Sequence, residues 1–197
     1  MQTYYDRRAR EYDDWVYGTG LFADRRRPDW HEERGRLEQA VVELPAARSL
    51  DVACGTGWLT QHLRGEVTGL DASDSMIAIA QERIPEASFV VGHALDLPFD
   101  DGAFDRIFTG HFYGHLENDD RLRFLAEARR VARELVVVDS ALRDDVEAEE
   151  WQERVLNDGS RWDVYKRYFT PEGLAEELGS GRVLHSGRWF IMVSSGA

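Results

Sequence analysis

Three short clusters in this chain hold residue types that could do chemistry. The first is Leu50-Asp51-Val52-Ala53-Cys54-Gly55-Thr56-Gly57-Trp58-Leu59-Thr60, where a β-prone run ends in a glycine-rich turn and a helical pattern begins. Gly55 and Gly57 let the backbone bend sharply and approach a ligand, and unpaired amides at a helix N-terminus favour a carboxylate or phosphate. Tight strand-to-helix turns also use glycine with nothing bound, so the loop alone does not decide. Two details sharpen it. Asp51 precedes the loop, where a carboxylate repels pyrophosphate and suits a ligand bearing an ammonium group. Thr60 stands where a dinucleotide fingerprint would place its third glycine.

The second cluster is Gly69-Leu70-Asp71-Ala72-Ser73. It places a carboxylate at the end of the next β-prone run, about twenty residues after Asp51, where it can grip two ribose hydroxyls. The bland alternative is a helix-capping acid, but Ser73 already fills that place. Met76, one turn on, packs either on a purine or simply in the core. The third cluster is Gly110-His111-Phe112-Tyr113-Gly114-His115-Leu116. Ligand crevices of open α/β sheets lie beyond the carboxyl ends of the strands, so this loop should face the reacting group. His111 and His115 are therefore candidates for substrate contact or proton removal, and Tyr113 for substrate contact. A lone histidine is more often structural.

The elements that must hold these clusters follow from the patterning. Ser49 to Ala53, Glu66 to Asp71, Ser88 to Gly92, Phe104 to Thr109 and Leu135 to Asp139 are β-rich, and several are apolar throughout, as in parallel strands covered on both faces. Between them, Trp58 to Arg64 is predicted as a short helix ended by Gly65. Ser73 caps a helix carrying Met76, Ile77 and Ala80 and stopped by Pro85, and Asn118 starts one with Phe124, Leu125, Ala128, Val131 and Ala132 on one face. Thr170-Pro171 opens a last helix closed by Gly179. Val183 to His185 and Trp189 to Val193 then read as an antiparallel hairpin around Ser186-Gly187. The expected fold is a doubly wound, Rossmann-like, mostly parallel seven-stranded sheet with an antiparallel C-terminal strand, in three α/β/α layers.

Length and composition bound the reading. The 197 residues suit one domain: residues 1–46 form a helical N-terminal segment with an amphipathic helix around Asp29 to Leu44, and residues 47–197 form the core, with an aromatic and charged insertion at 141–169. A net charge of -13 disfavours nucleic acid and anionic membranes as partners, and the Arg25-Arg26-Arg27 run reads as a solvated face. Cys54 is the one cysteine, which excludes an internal disulfide and a cysteine-based zinc cage, so no metal site is expected. No apolar run approaches the roughly 18 residues of a membrane span. The expectation is a cytoplasmic protein, monomeric or homodimeric.

Asp51-Val52-Ala53-Cys54-Gly55-Thr56-Gly57 resembles the first motif of the class I S-adenosylmethionine-dependent methyltransferases, and the likeness runs from about Ser49 to Val138. It looks most like the small-molecule, type 11 members. The resemblance implies that Asp51, Ala53, Cys54, Gly55, Gly57 and Gly110 surround the methionine portion of S-adenosylmethionine, with Asp71 and Ala72 at the ribose. Gly92-His93-Ala94-Leu95-Asp96-Leu97-Pro98-Phe99 is similar to the adenine-binding segment, which points to His93, Ala94 and Leu95 alongside Met76. His93 departs from the family, which usually has aspartate there. Tyr4 to Asp13 resembles an N-terminal lid, with Tyr5 and Tyr12 closing over the cofactor. Trp151, Arg161, Trp162 and Tyr165, with Arg154, Lys166 and Arg167, fall where relatives build the substrate wall, and aromatics with cationic tips suit a flat or anionic small molecule. The implied reaction is in-line methyl transfer to an oxygen or nitrogen of a small-molecule acceptor. Two alternatives stay open: a noncatalytic cofactor-binding or partner module, and an NAD(P)-dependent oxidoreductase on the same fold.

Overall fold

The computed structural model describes residues 2–196. Its strands are β1 (Ala47–Val52), β2 (Gly65–Asp71), β3 (Ser88–Val91), β4 (Arg106–Gly110), β5 (Glu134–Ser140), β6 (Glu149–Val155), β7 (Arg161–Arg167), β8 (Arg182–Ser186) and β9 (Phe190–Gly196). Its helices are α1 (Gln2–Arg8), α2 (Asp14–Tyr17), α3 (Trp30–Val42), α4 (Asp74–Arg83), α5 (Asn118–Val131) and α6 (Pro171–Glu177). Seven strands form one sheet in the order β3-β2-β1-β4-β5-β9-β8. β1 to β5 pair in parallel, and β9 alone runs against its neighbours on both sides. The expected seven-stranded, mostly parallel sheet with one reversed strand is thus the observed one. Strand order reverses between β1 and β4, the place where such sheets open a crevice at their carboxyl edge.

Alternation along the central strands divides the core into two layers. Ile107, Leu135, Val137, Ile191 and Val193 meet the apolar faces of α5 and α6, including Phe124, Ala128, Leu174 and Leu178. Their neighbours Phe108, Val136, Val138, Phe190 and Met192 face the other way, onto Trp30, Leu37 and Val41 of α3 and onto Trp58 and Leu63. Such near-continuous apolar strands form only where both sheet faces are covered. α4 packs beside β2 and β3, its N-terminus capped as expected by Ser73, whose Oγ accepts the Met76 N–H at 3.2 Å. Thr170 caps α6 in the same way, accepting the Gly173 N–H.

One expected helix does not form. Between Trp58 and Arg64 there is only a 3-10 turn, Thr60–His62, after which Leu63 is already extended. This crossover must return the chain along the whole of β1, a run of roughly 20 Å at about 3.3 Å per residue. An α-helix of that length advances only about 1.5 Å per residue and falls short, whereas 3-10 and extended backbone reach. Gly65 keeps its left-handed conformation (φ 104°) but opens β2, where a Cβ would meet the Ala47 carbonyl at 2.3 Å.

The 141–169 insertion folds as the antiparallel hairpin β6–β7, and its Val164, with Leu156, packs on Tyr4 of α1. Among the described residues no helix is long and apolar enough to cross a membrane. At the opposite end of the chain, Glu33 of α3 is buried and accepts the backbone N–H groups of Arg188, Trp189 and Phe190 at 2.9, 2.6 and 2.9 Å. That carboxylate joins the N-terminal layer to the β8–β9 turn. Glu33→Ala orphans these donors, and each hydrogen bond to a charged group contributes about 1.5–3 kcal/mol. The expected loss is about 3 kcal/mol of unfolding free energy in urea, and a change within about 0.5 kcal/mol would show that the clasp does not hold the layers together.

Candidate functional site

A cavity of about 380 Å³ opens beyond the carboxyl ends of the parallel strands. Its floor is the turn after β1, where Ala53 and Gly55 take left-handed conformations (φ 58° and 55°). Asp71, at the end of β2, fixes that turn. Its Oδ2 accepts the Gly55 N–H and its Oδ1 the Ser73 N–H, both at 2.9 Å. Burial raises the Asp71 pKa above the usual carboxylate range, and these backbone donors pull it back. Each oxygen keeps a second lone pair for a ligand hydroxyl. Ala72, Met76, His93, Ala94, Leu95 and Gly110 also line this cavity. His93 is exposed, and its Nδ1 accepts the Leu95 N–H at 3.2 Å, so the ring shapes its own turn.

Asp51 lies just below, beside a recess that meets the main cavity at Tyr12, Ala53, Gly110 and His111. Thr60 donates its hydroxyl to Asp51 Oδ2 at 2.6 Å, while Oδ1 is buried with no partner. Burial drives the Asp51 pKa up to about 7, against the hydrogen bond from Thr60. An orphaned carboxylate oxygen is costly to bury and well matched to an ammonium. Cys54 borders the same recess, its thiol pushed up by burial. Gly57 does not reach the cavity. A Cβ there would press Ile84 and Ala80, so this glycine packs the turn against α4.

The N-terminal segment closes over these loops through bonds that have no local sequence signal. Asp6 accepts from Ser73 Oγ at 2.5 Å, and Asp13 accepts from Thr56 Oγ1 at 2.6 Å and Arg83 at 2.5 Å. Tyr5 and Tyr12 then line the cavity, their hydroxyls raised far above the ordinary tyrosine range, chiefly by burial.

His111 is buried, in the left-handed region (φ 57°), its ring stacked on Trp58 with centres 5.7 Å apart and edge-on to Trp15 at 4.8 Å. Burial lowers its pKa to about 4, and its Nε2 has no partner. His115 contacts the Tyr165 carbonyl through Nδ1 at 2.7 Å. A carbonyl only accepts, so Nδ1 carries the proton and Nε2 the lone pair. Burial and the Lys166 charge hold this pKa well below the ordinary histidine value. Behind both rings lies an ion pair that no local sequence pattern announces: Lys166 Nζ and Asp139 Oδ1, 2.5 Å apart, buried, with Asp139 Oδ2 accepting the Gly114 N–H at 2.7 Å. It docks β7 onto the loop after β4.

Three residues expected to touch substrate stand elsewhere. Tyr113 is fully buried, its hydroxyl donating to Glu177 Oε1 at 2.8 Å beneath α6, because its ring completes the apolar layer with Phe124 and Phe169. Trp162 packs on Tyr4 and under Arg7, joining the hairpin to α1. Arg161 is exposed and paired with Glu153 across the hairpin. Trp151 and Tyr165 do line the main cavity, with ring centres 5.8 Å apart.

A second chamber of about 180 Å³ adjoins the first and shares Tyr12, His111 and His115 with it. Arg27 lines it, against the expectation of a solvated arginine run: Arg25 and Arg26 are exposed, but Arg27 folds inward over the Trp30 ring at 3.8 Å. Its Nη1 also donates to the Trp15 carbonyl at 2.6 Å, which fixes that position.

Residues 50–136 match the family model described as a methyltransferase domain. The demethylmenaquinone methyltransferase of Thermotoga maritima is 38% identical over 105 residues, covering 51% of this chain and 45% of that enzyme. The chain therefore spans just under half the length of the first curated relatives it matches. Over nearly the whole fold it superposes on a solved complex of DhpI with SAM and HEP (TM-score 0.72, 26% identity, 98% of this chain and 94% of that one). A DhpI complex with SAH gives a TM-score of 0.69 at 29% identity, covering 98% and 93%.

The two loop histidines provide a direct check on this geometry. Ring resonances of His111 and His115 are expected to stay at neutral-imidazole positions from pH 8 to about pH 5. Between the ordinary value of 6.5 and about 4, the unfolded chain takes up a proton at His111 that the native state does not, so stability should fall as pH drops through that window. A midpoint near 6.5 for either ring would show that it is solvated rather than buried.

Proposed function

We propose that the chain is a class I S-adenosylmethionine-dependent methyltransferase, which transfers a methyl group from S-adenosylmethionine to an oxygen or nitrogen of a small molecule; the matches to a methyltransferase domain, to methyltransferases and to the DhpI complexes support this reading. The observation that carries this reading is the buried, unpartnered Oδ1 of Asp51 at the edge of a cavity that Asp71, on the neighbouring strand, also lines. An amino acid tail with an ammonium group and a ribose with two hydroxyls match that pair of carboxylates. A pyrophosphate on the same turn would meet the Asp51 carboxylate instead, which disfavours a nicotinamide dinucleotide, whereas Asp71 suits the ribose of either ligand.

When bound, the cofactor supplies an electrophilic methyl group on a positively charged sulfur. Asp51 and the turn through Gly55 hold the amino acid tail, Asp71 receives the ribose hydroxyls, and Met76, Ala94 and Leu95 border the purine. Tyr5 and Tyr12 cover the cavity and exclude water. The acceptor enters from the adjoining chamber, past His111 and His115. Positioning of this kind is worth about 7 to 11 kcal/mol of a displacement barrier. With their pKa values depressed, both imidazoles are neutral near pH 7 and weak as bases. Their role is therefore to accept a hydrogen bond from the acceptor's nucleophile and orient it, with His115 Nε2 the lone-pair nitrogen. The net charge of -13 supports a small acceptor over nucleic acid or an anionic membrane, and a lone buried cysteine suits the cytoplasm.

Calorimetry with S-adenosylhomocysteine tests the donor site without turnover. Asp51 must be ionised to meet an ammonium, so affinity is expected to fall up to about tenfold per unit as pH drops below about 7. Asp51→Asn should weaken binding at least about tenfold near pH 8 and remove the pH dependence. 5′-Methylthioadenosine, which has no amino acid tail, should be insensitive to both. No heat from S-adenosylhomocysteine at millimolar ligand, or equal binding by Asp51→Asn, would overturn the assignment.

A further inference from the structure

The chamber beside the donor cavity has an unusual electrostatic character for this chain. Arg8, Arg25, Arg27, Arg143, Arg154 and Lys166 line it, and no acidic residue does, although the whole chain carries a net charge of -13. Two of the six cations are neutralised, Lys166 by Asp139 and Arg143 by Asp145 at 3.0 Å. Among the described residues, Arg25, Arg27 and Arg154 have no carboxylate within ion-pair distance, and Arg8 likewise bonds only to the Tyr4 hydroxyl at 2.8 Å. Arg154 is partly buried on β6, its Nη2 bonded to the Gln152 amide oxygen and its Nε without a partner.

These guanidiniums repel one another. Burial, then the charges of Arg8 and Arg25, lower the Arg154 pKa, and burial followed by Arg25 lowers that of Arg27 to about 10. Like charges gathered in a half-buried space destabilise the empty protein, and an arrangement of that kind becomes favourable only when an anion completes it. The remaining walls are flat and apolar: Trp15, Trp30, Tyr168 and Trp189. Arg27 lies over Trp30, and Arg143 lies 4.5 Å from the Trp189 ring centre, so the aromatics hold the cations in place.

We infer that the methyl acceptor is an anion, a small organic molecule whose phosphoryl or carboxylate group is held by Arg8, Arg27 and Arg154 in this chamber. Planar guanidinium forks bind such oxyanions in bidentate fashion, and the aromatic walls receive the organic body. The shared boundary at His111 and His115 places that body next to the donor cavity. The acceptor role rests on the methyl-transfer reading, but the anion site does not need the donor and is separately measurable.

Calorimetric titration of the full chain with phenyl phosphate, phenylacetate and benzyl alcohol, each with and without saturating S-adenosylhomocysteine, tests this. At least one anion is expected to bind at least about tenfold more tightly than benzyl alcohol, with affinity falling as salt is raised. The stronger of the two anions identifies the group the guanidiniums were built for. Arg154→Gln should lower that affinity about tenfold while leaving the anion-free melting temperature equal or higher, since removing an uncompensated cation relieves repulsion. A purely structural arginine would lower the melting temperature instead. Anions binding no better than benzyl alcohol, or an Arg154→Gln protein with undiminished anion affinity, would overturn the proposal. Binding of S-adenosylhomocysteine in those same titrations separates that outcome from a failure of the donor assignment.

Discussion

The carboxylate of Asp71 accepts one backbone N–H from the turn after β1 and another from the entry to α4, and everything around the cavity is arranged on that clasp. It is possible only because β1 and β2 are parallel neighbours in register, with Val52 opposite Leu70, so that their carboxyl ends finish side by side. The turn after β1 needs such a tether because Ala53 and Gly55 both adopt left-handed backbone, a conformation that the Cβ of Ala53 disfavours. The N-terminal segment then attaches to the tethered loops through Asp6 on Ser73 and Asp13 on Thr56. Floor and cover of the cavity are thus one connected unit of hydrogen bonds.

The charges on either side of the loop after β4 have opposite sign. Asp51 and Asp71 face the side proposed for a cationic donor, and uncompensated arginines face the side proposed for an anionic acceptor. Trp15 and the His111 ring line both the recess at Asp51 and the arginine-lined chamber, and they pack against Trp58. Each half is poorly compensated on its own, and each is complementary to the partner proposed for it. That division accounts for an aromatic wall rich in tryptophan at the mouth of an otherwise acidic protein.

The parallel strands, the Ser73 and Thr170 caps and the reversed last strand were legible in the sequence because period, turn and capping signals are local. So were Asp51, Asp71 and the Gly55 turn, which lie next to one another along two short segments. The crossover after β1 carries a helical pattern but forms only a 3-10 turn, because its length requirement comes from the sheet, not from Trp58 to Arg64. Tyr113, Trp162 and Arg161 stand away from the cavity for a related reason: an aromatic or charged residue in that region of chain has several faces to choose from, and packing against Phe169, Tyr4 or Glu153 decides. The Lys166–Asp139 pair, the Asp6 and Asp13 ties and the inward turn of Arg27 join residues far apart in the chain, and no local pattern announces them.

A crystal structure of the complex with S-adenosylhomocysteine addresses the central claim most directly. The expected result has the ligand's amino group within hydrogen-bond distance of Asp51 Oδ1, its ribose hydroxyls on Asp71, and its sulfur turned toward the boundary formed by Tyr12, His111 and His115. Density showing the amino acid tail away from Asp51, or the sugar away from Asp71, would contradict it.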